Sequence, residues 1–380
     1  MANEYDEYRP PQPERPGLYR MLTKEEARHP KPKRRRRGGV RGAGAGAQDG
    51  SKEERMAGDF QFTDYYGKPV VKAPPWEWPI GVYLFLGGVA GGSGMLAAGA
   101  QATGNAELRR NTALTAFTAA AAGSAMLVLD LGRPERLLNM FRVFKLSSPM
   151  SVGSWILGSF AGSAALPAAA EAGKLVGLPD AVQKPLNAAA GPAGIAAGVL
   201  GGPLASYTAV LLGDTSNPTW SDTRRHLPYV FASSAALASS GVAMATSSTQ
   251  AAAPARVIAP IAAACDLAAT RVMEKNMQPE TVRHLHEGRP GALLRASEYL
   301  VAAGGIGAVA ATATKSRALQ VLSGLALAAG SCCTRFGVFE GGLESAKDPQ
   351  AVIGPQKRRA EARRAQEGLA SDVVSTARPE

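Results

Sequence analysis

The chain has 380 residues, with 42 Lys and Arg against 31 Asp and Glu, a formal net charge of +11 and a mean hydropathy near zero. That average conceals a division, because polar ends flank residues 79–340, which are almost continuously apolar and rich in Ala, Gly, Leu and Val. The pattern excludes a pair of soluble domains, and it makes the basic excess, with its run Lys33-Arg-Arg-Arg-Arg37, a topology signal rather than a nucleic-acid patch.

Residues 1–60 combine Pro, Gly, Arg and Glu and are too polar to bury a core, so a disordered cytoplasmic leader is expected. Residues 61–78 hold Tyr65, Tyr66, Trp76 and Trp78 beside Pro74 and Pro75, the composition of a rigid aromatic segment at a membrane interface. The first long apolar run starts near residue 79, too late for a secretory signal.

A spanning helix needs about 20 apolar residues, and eight stretches qualify: 79–103, 111–132, 148–172, 189–213, 226–248, 253–274, 291–313 and 316–337. The predicted fold is therefore all-α, a polytopic membrane protein of about eight transmembrane helices over 79–340, followed by a polar cytoplasmic tail at 341–380. Glycines such as Gly87, Gly88, Gly91, Gly92 and Gly94 in the first helix favour close helix packing.

Only seven of the 42 basic residues, Arg109, Arg110, Lys174, Lys184, Arg256, Lys315 and Arg317, fall on the side away from the termini. Basic residues near span ends stay cytoplasmic, so both termini are expected there, in the inner membrane. On the cytoplasmic half lie Tyr83, Asp130, Tyr207, Tyr229, Asp266, Glu298, Tyr299, Arg335 and Glu340. For Tyr83, Tyr229 and Tyr299 an interfacial aromatic belt is an equal reading; Asp130 with Arg133, and Arg295 with Glu298, fit helix-end ion pairs. Asp266, Glu298 and Tyr207 are deeper, and lipid offers them no partner, which points to a polar pocket in one leaflet. A quinone, apolar with a proton-exchanging head, suits such a pocket.

Of the four histidines, His29, His284 and His286 fall outside the predicted spans and His226 sits at the boundary of one, so no haem pair is expected, and His284 with His286 reads as a solvated loop pair. Cys265, Cys332 and Cys333 have no disulfide or cluster spacing and are expected to be buried, inert thiols. Neither haem nor an iron–sulfur cluster is expected in this chain, so electrons have to come from a partner.

Trp78-Pro-Ile-Gly-Val-Tyr-Leu-Phe-Leu-Gly-Gly-Val-Ala-Gly-Gly92 and Leu129-Asp-Leu-Gly-Arg-Pro-Glu-Arg-Leu-Leu-Asn-Met-Phe-Arg-Val-Phe144 resemble the polysulfide reductase membrane-subunit family of NrfD type. Similar too are Ser147-Ser-Pro-Met-Ser-Val-Gly-Ser-Trp155, Gly202-Pro-Leu-Ala-Ser-Tyr-Thr-Ala-Val-Leu-Leu212 with Pro218-Thr-Trp220, and Arg335-Phe-Gly-Val-Phe-Glu-Gly-Gly-Leu-Glu-Ser-Ala-Lys-Asp-Pro349, so the resemblance covers about 60–350. It implies an anchor, non-catalytic alone, that exchanges electrons and protons with menaquinone or ubiquinone. It also implies an iron–sulfur subunit docked on the anchor and, behind it, a molybdopterin catalytic subunit, formate dehydrogenase-like or polysulfide reductase-like. Carried onto this sequence, the quinone site is expected at Tyr83, Tyr207, Asp266 and Glu298, and the partner-docking loop at Asp130, Arg133, Glu135 and Arg136. Lipid is the other partner, and nucleic acid is not one. A transporter of a small molecule or ion is the alternative, although no internal repeat supports it.

Overall fold

The computed structural model describes residue 71 and residues 74–131 and 134–366. Among these, the ordered elements are helices: α1 (Trp78–Ala102), α2 (Ala106–Asp130), a 3-10 helix (Pro134–Phe141), α3 (Pro149–Val176), α4 (Asp180–Gly213), α5 (Pro218–Thr223), α6 (Leu227–Thr246), α7 (Ala253–Lys275), α8 (Pro279–His286), α9 (Gly288–Thr314), α10 (Arg317–Lys347) and α11 (Pro349–Gln366). The protein is an all-α polytopic membrane protein, and each of the eight expected spans is a helix. The leader, and most of the aromatic segment before Pro74, lie outside the described residues.

Helix starts follow local chemistry. Pro79, Pro149, Pro228 and Pro254 occupy first turns, where a missing N–H costs nothing. The side chains of Asn105, Ser148 and Ser316 accept from backbone N–H groups at the starts of α2, α3 and α10.

Seven of the eight long helices, all but α7, are long and apolar enough by composition to cross a membrane. What sets α7 apart is its charge, with Arg256, Asp266, Arg271, Glu274 and Lys275 along it. Asp266 faces inward at 3 % exposure, whereas Val257 and Ile261, one turn apart, are about 60 % exposed together with Cys265. An outward apolar face with the mid-helix carboxylate turned in, and the exposed Arg271 and Lys275 kept to the last two turns, is what a lipid-facing span requires. The thiols differ from expectation: Cys265 is exposed, and Cys332 and Cys333 are only partly covered.

The long helices form two sets of four, α1–α4 and α6, α7, α9 and α10, that meet along α1 and α6. Close approach at the crossings depends on missing side chains. A Cβ on Gly91 would strike the Gly201 carbonyl of α4, one on Gly92 would strike Ser239 of α6, and one on Gly241 would strike the Gly324 carbonyl of α10.

The end holding the start of α1 is tied by Trp220 of α5. Its ring lies between Trp76 and Phe339, at centroid distances of 5.7 and 5.9 Å, and its indole N–H donates to the Val338 carbonyl at 2.8 Å. At the opposite end Arg317 donates to the Met244 and Ala245 carbonyls that close α6, at 2.6 and 2.7 Å, and buried Glu171 holds Arg109 at 2.6 Å and Lys174 at 2.9 Å.

Two helices differ from expectation in their ends. α10 continues ten residues past the predicted end at 337, which moves Arg335 well away from the helix end and puts Glu340 inside the helix, and the supposed tail continues as α11. α4 starts nine residues before the predicted 189, carrying polar Gln183, Lys184 and Asn187 as helix.

Candidate functional site

Within the first set of four, next to the Trp220 tie, is a cavity of about 240 Å³. Trp76 and Ile80 close it at the start of α1, Leu127, Asp130 and Leu131 come from the end of α2, and Met140 from the 3-10 helix. The start of α3 adds Met150, Ser154 and Leu157; α4 adds Tyr207, Leu211 and Leu212. The wall is mostly hydrocarbon, with a few polar groups at set positions.

Tyr83, 2 % exposed, is fixed against α2: its ring reaches to 3.4 Å of where a Cβ on Gly123 would stand. Its hydroxyl is buried and makes no hydrogen bond within the described residues. Tyr207 lies against α3 at Gly153, where any Cβ would overlap its ring, so Gly153 makes the space that the ring fills. Pro203, one turn earlier in α4, lacks the N–H that would bond the Val199 carbonyl and loosens the helix beside the cavity. Asp130, on the last residue of α2 and 9 % exposed, accepts from the Glu77 backbone N–H at 3.4 Å, which ties the entrance of α1 to the cavity rim. Ser154 spends its hydroxyl on the Met150 carbonyl at 2.9 Å.

The cavity thus brings together Tyr83, Tyr207 and Asp130 but not Asp266 and Glu298. Those two line a separate pocket of about 100 Å³ among α7, α9 and α10, in the second set of four, with Arg271, Glu274, His286 and Arg295. There Ser233 donates to Asp266 at 3.1 Å. Glu298 pairs with Arg271 at 2.8 Å, not with Arg295, whose guanidinium donates to the His286 carbonyl at 3.0 Å. Depth along a helix had suggested one pocket; the division into two sets of four makes it two.

Of the expected docking loop, Arg133 lies outside the described residues, as do the side chains of Glu135 and Arg136, which belong to the 3-10 helix. Tyr229 and Tyr299, 70 and 75 % exposed, stand outside both pockets in the position of belt aromatics. His284 is no solvated loop residue, since its Nε2 lies 3.0 Å from Asp348 Oδ2 with Arg283 on the same carboxylate.

Sequence reasoning missed the two methionines of the cavity wall and the core position of Arg335. This guanidinium is fully buried, 3.9 Å from the centroid of the Phe231 ring, and donates to the Phe231 carbonyl at 2.5 Å and to Ser234 Oγ at 3.3 Å. The methionines carry no sequence signal of their own; Arg335 had one, a charge within a run apolar enough to be membrane helix.

No curated protein matches the chain. The family model described as polysulphide reductase, NrfD, matches residues 69–260. That span holds every residue lining the cavity, whereas Arg335–Pro349 lies beyond it. With its apolar spans and the match over half its length, the chain belongs to the NrfD polysulphide reductase family and is a membrane subunit of that kind.

Proposed function

We propose that this chain is the quinone-reactive anchor of an oxidoreductase complex and holds the quinone head in the cavity among α1–α4. The observation that carries this reading is the Tyr83 hydroxyl, buried and without a partner among the described residues, on the wall of a mostly apolar cavity. Such a group costs about 1–3 kcal/mol, a cost that a ligand carbonyl relieves.

A quinone ring is flat and apolar, with an acceptor oxygen at each end, and when bound it supplies two-electron, two-proton chemistry. Leu84, Leu127, Leu157 and Leu211 cover its faces, and the Tyr83 and Tyr207 hydroxyls donate to its carbonyls and fix its orientation. Trp76 and Leu131 keep bulk water from the ring. Asp130, at the rim, passes protons between the ring oxygens and the aqueous end.

Electrons cross the same end from a docked iron–sulfur subunit, which in turn carries a molybdopterin subunit that is formate dehydrogenase-like or polysulfide reductase-like. The excess of Lys and Arg at that end supports a cytoplasmic face in the inner membrane, with both termini on it.

Tyr83→Phe and Tyr207→Phe test the reading. Each is expected to lower quinone affinity up to about tenfold, from about 0.5–1.5 kcal/mol per neutral hydrogen bond. Thermal stability should hold in Tyr83→Phe, because that hydroxyl has no protein partner to lose within the described residues. Transfer from substrate to a soluble dye, which bypasses the anchor, should not change in the assembled complex. Equal loss in both assays, or no loss in either, overturns the assignment.

A further inference from the structure

At the same end as the cavity, but separate from it, a cleft of about 660 Å³ is walled by the stretch from Ser216 to His226, by Asn276–Thr281 and by one face of α11. Asp222 on its wall and Glu280 beside it are already engaged. Asp222 accepts from the Gln278 backbone N–H at 2.8 Å and from the Thr281 hydroxyl at 2.5 Å, and Glu280 holds the Arg358 guanidinium. Arg224, Arg225 and Arg359 also line the cleft, and none has a carboxylate partner within the described residues. The cleft is therefore a formed hollow with three guanidinium groups that no carboxylate of the described residues neutralises, Arg359 giving only its Nε–H to the Pro355 carbonyl at 3.2 Å, geometry that suits a phosphate's oxygens.

Height separates the kinds of anion. His226 is the N-cap of α6, so Arg224 and Arg225 stand within a few residues of where the spanning helix begins. Tyr229, less than a turn into α6, is 70 % exposed, the position of an aromatic at the headgroup level. A basic hollow beside the start of a spanning helix at that level faces lipid phosphates, whose concentration there exceeds that of free anions. α11 extends the positive charge with Lys357 and Arg363.

We propose that this cleft binds the headgroup of an anionic phospholipid, with the phosphate gripped by Arg224, Arg225 and Arg359. A lipid seated there bridges the loop before α6, the loop after α7 and the C-terminal helix, and so stabilises the end on which partner subunits assemble.

The test uses the full chain in nanodiscs of phosphatidylcholine alone or of phosphatidylcholine mixed equally with phosphatidylglycerol, with the unfolding midpoint as readout. The wild-type midpoint should rise in the anionic discs, as it does for any ligand that binds only the folded state. The double variant Arg224→Gln with Arg225→Gln should lose most of that rise, whereas Lys184→Gln with Lys315→Gln, at the opposite end, should keep it. Because the readout is the difference between two discs, a general loss of stability in a variant cancels. Native mass spectrometry should show phosphatidylglycerol retained by the wild type and lost from the Arg224/Arg225 variant. The proposal is overturned by no rise in the wild type, by equal loss in both variants, or by inorganic phosphate in phosphatidylcholine discs reproducing the rise.

Discussion

Gly153 and Tyr207 show how a residue with no side chain shapes the cavity. Because a Cβ at 153 would overlap the Tyr207 ring, Gly153→Ala has to push that ring out of its place. The expected result is a fold kept intact and a quinone affinity lowered about as far as in Tyr207→Phe, up to about tenfold. Adding Tyr207→Phe to Gly153→Ala should then cost little more, because the hydroxyl is already displaced; residues in contact commonly couple by about 0.5–3 kcal/mol. Fully additive losses would show that Tyr207 does not bond the ligand. The two tyrosines were legible in the sequence because a polar group in an apolar run has a depth, and depth can be read from the distance to the helix end. Asp266 and Glu298 have similar depth, yet they belong to another pocket, because depth says nothing about which neighbours a helix turns toward. Arg335 was misjudged for the opposite reason: with the end of its helix set ten residues too early, a core residue looked terminal.

Run length alone reveals the eight long helices, since lipid leaves the backbone no other way to pair its polar groups. Their ends are less visible, because helices extend past the hydrocarbon wherever capping or tertiary contacts satisfy them, as α4 and α10 do. α11 was invisible as an ordered element, being polar, and polar contacts hold it. Arg358 bonds both carboxylate oxygens of Glu280, and Asp348, at the junction with α10, takes Arg283 and His284. The hydrogen bond from Arg358 holds the Glu280 carboxyl down to about 2 from its ordinary 4.5. Burial pushes the Asp348 carboxyl up, but the Gln350 backbone N–H and the Arg283 and His284 side chains more than offset it, so it too lies below its ordinary value. Both folded values are depressed, so the clasp is at full strength above the ordinary carboxylate range and is lost as pH falls through the folded values; for Glu280 the window runs from 4.5 to about 2. Hydrogen exchange in α11, corrected for its intrinsic pH dependence, should therefore speed up across that window. At neutral pH Glu280→Gln should already show faster exchange, and high salt should add to it, since the pair is open to solvent. Unchanged α11 protection in Glu280→Gln would mean that other contacts hold the helix.

For the whole molecule the decisive element is α7, because the parity of spans fixes the relation of the two ends of the chain. Seven spans would put the start of α1 and the end of α10 on opposite sides of the membrane; eight put them on the same side. Composition alone leaves α7 out, but the structure packs it along α6 and α9 with Val257 and Ile261 outward and Asp266 inward, so its mid-helix carboxylate faces protein rather than lipid. Eight spans also agree with the charge, since only seven of 42 Lys and Arg then fall at the far end, and six of those, Arg109, Arg110, Lys174, Lys184, Arg256 and Arg317, are tied by hydrogen bonds or ion pairs to the protein's own acceptors. Reporter fusions at three points separate the arrangements. A reporter active only in the cytoplasm should be active when joined after Gln278, at the end of α7, inactive after Lys315, between α9 and α10, and active again after Gln366. Were α7 not to cross, Gln278 would stay on the side of Ser248 and all three results would invert. In the structure the start of α1 and the end of α10 share one face, because Trp76, Trp220 and Phe339 touch, so a fusion result that separates those two ends is incompatible with this packing whatever the ligand.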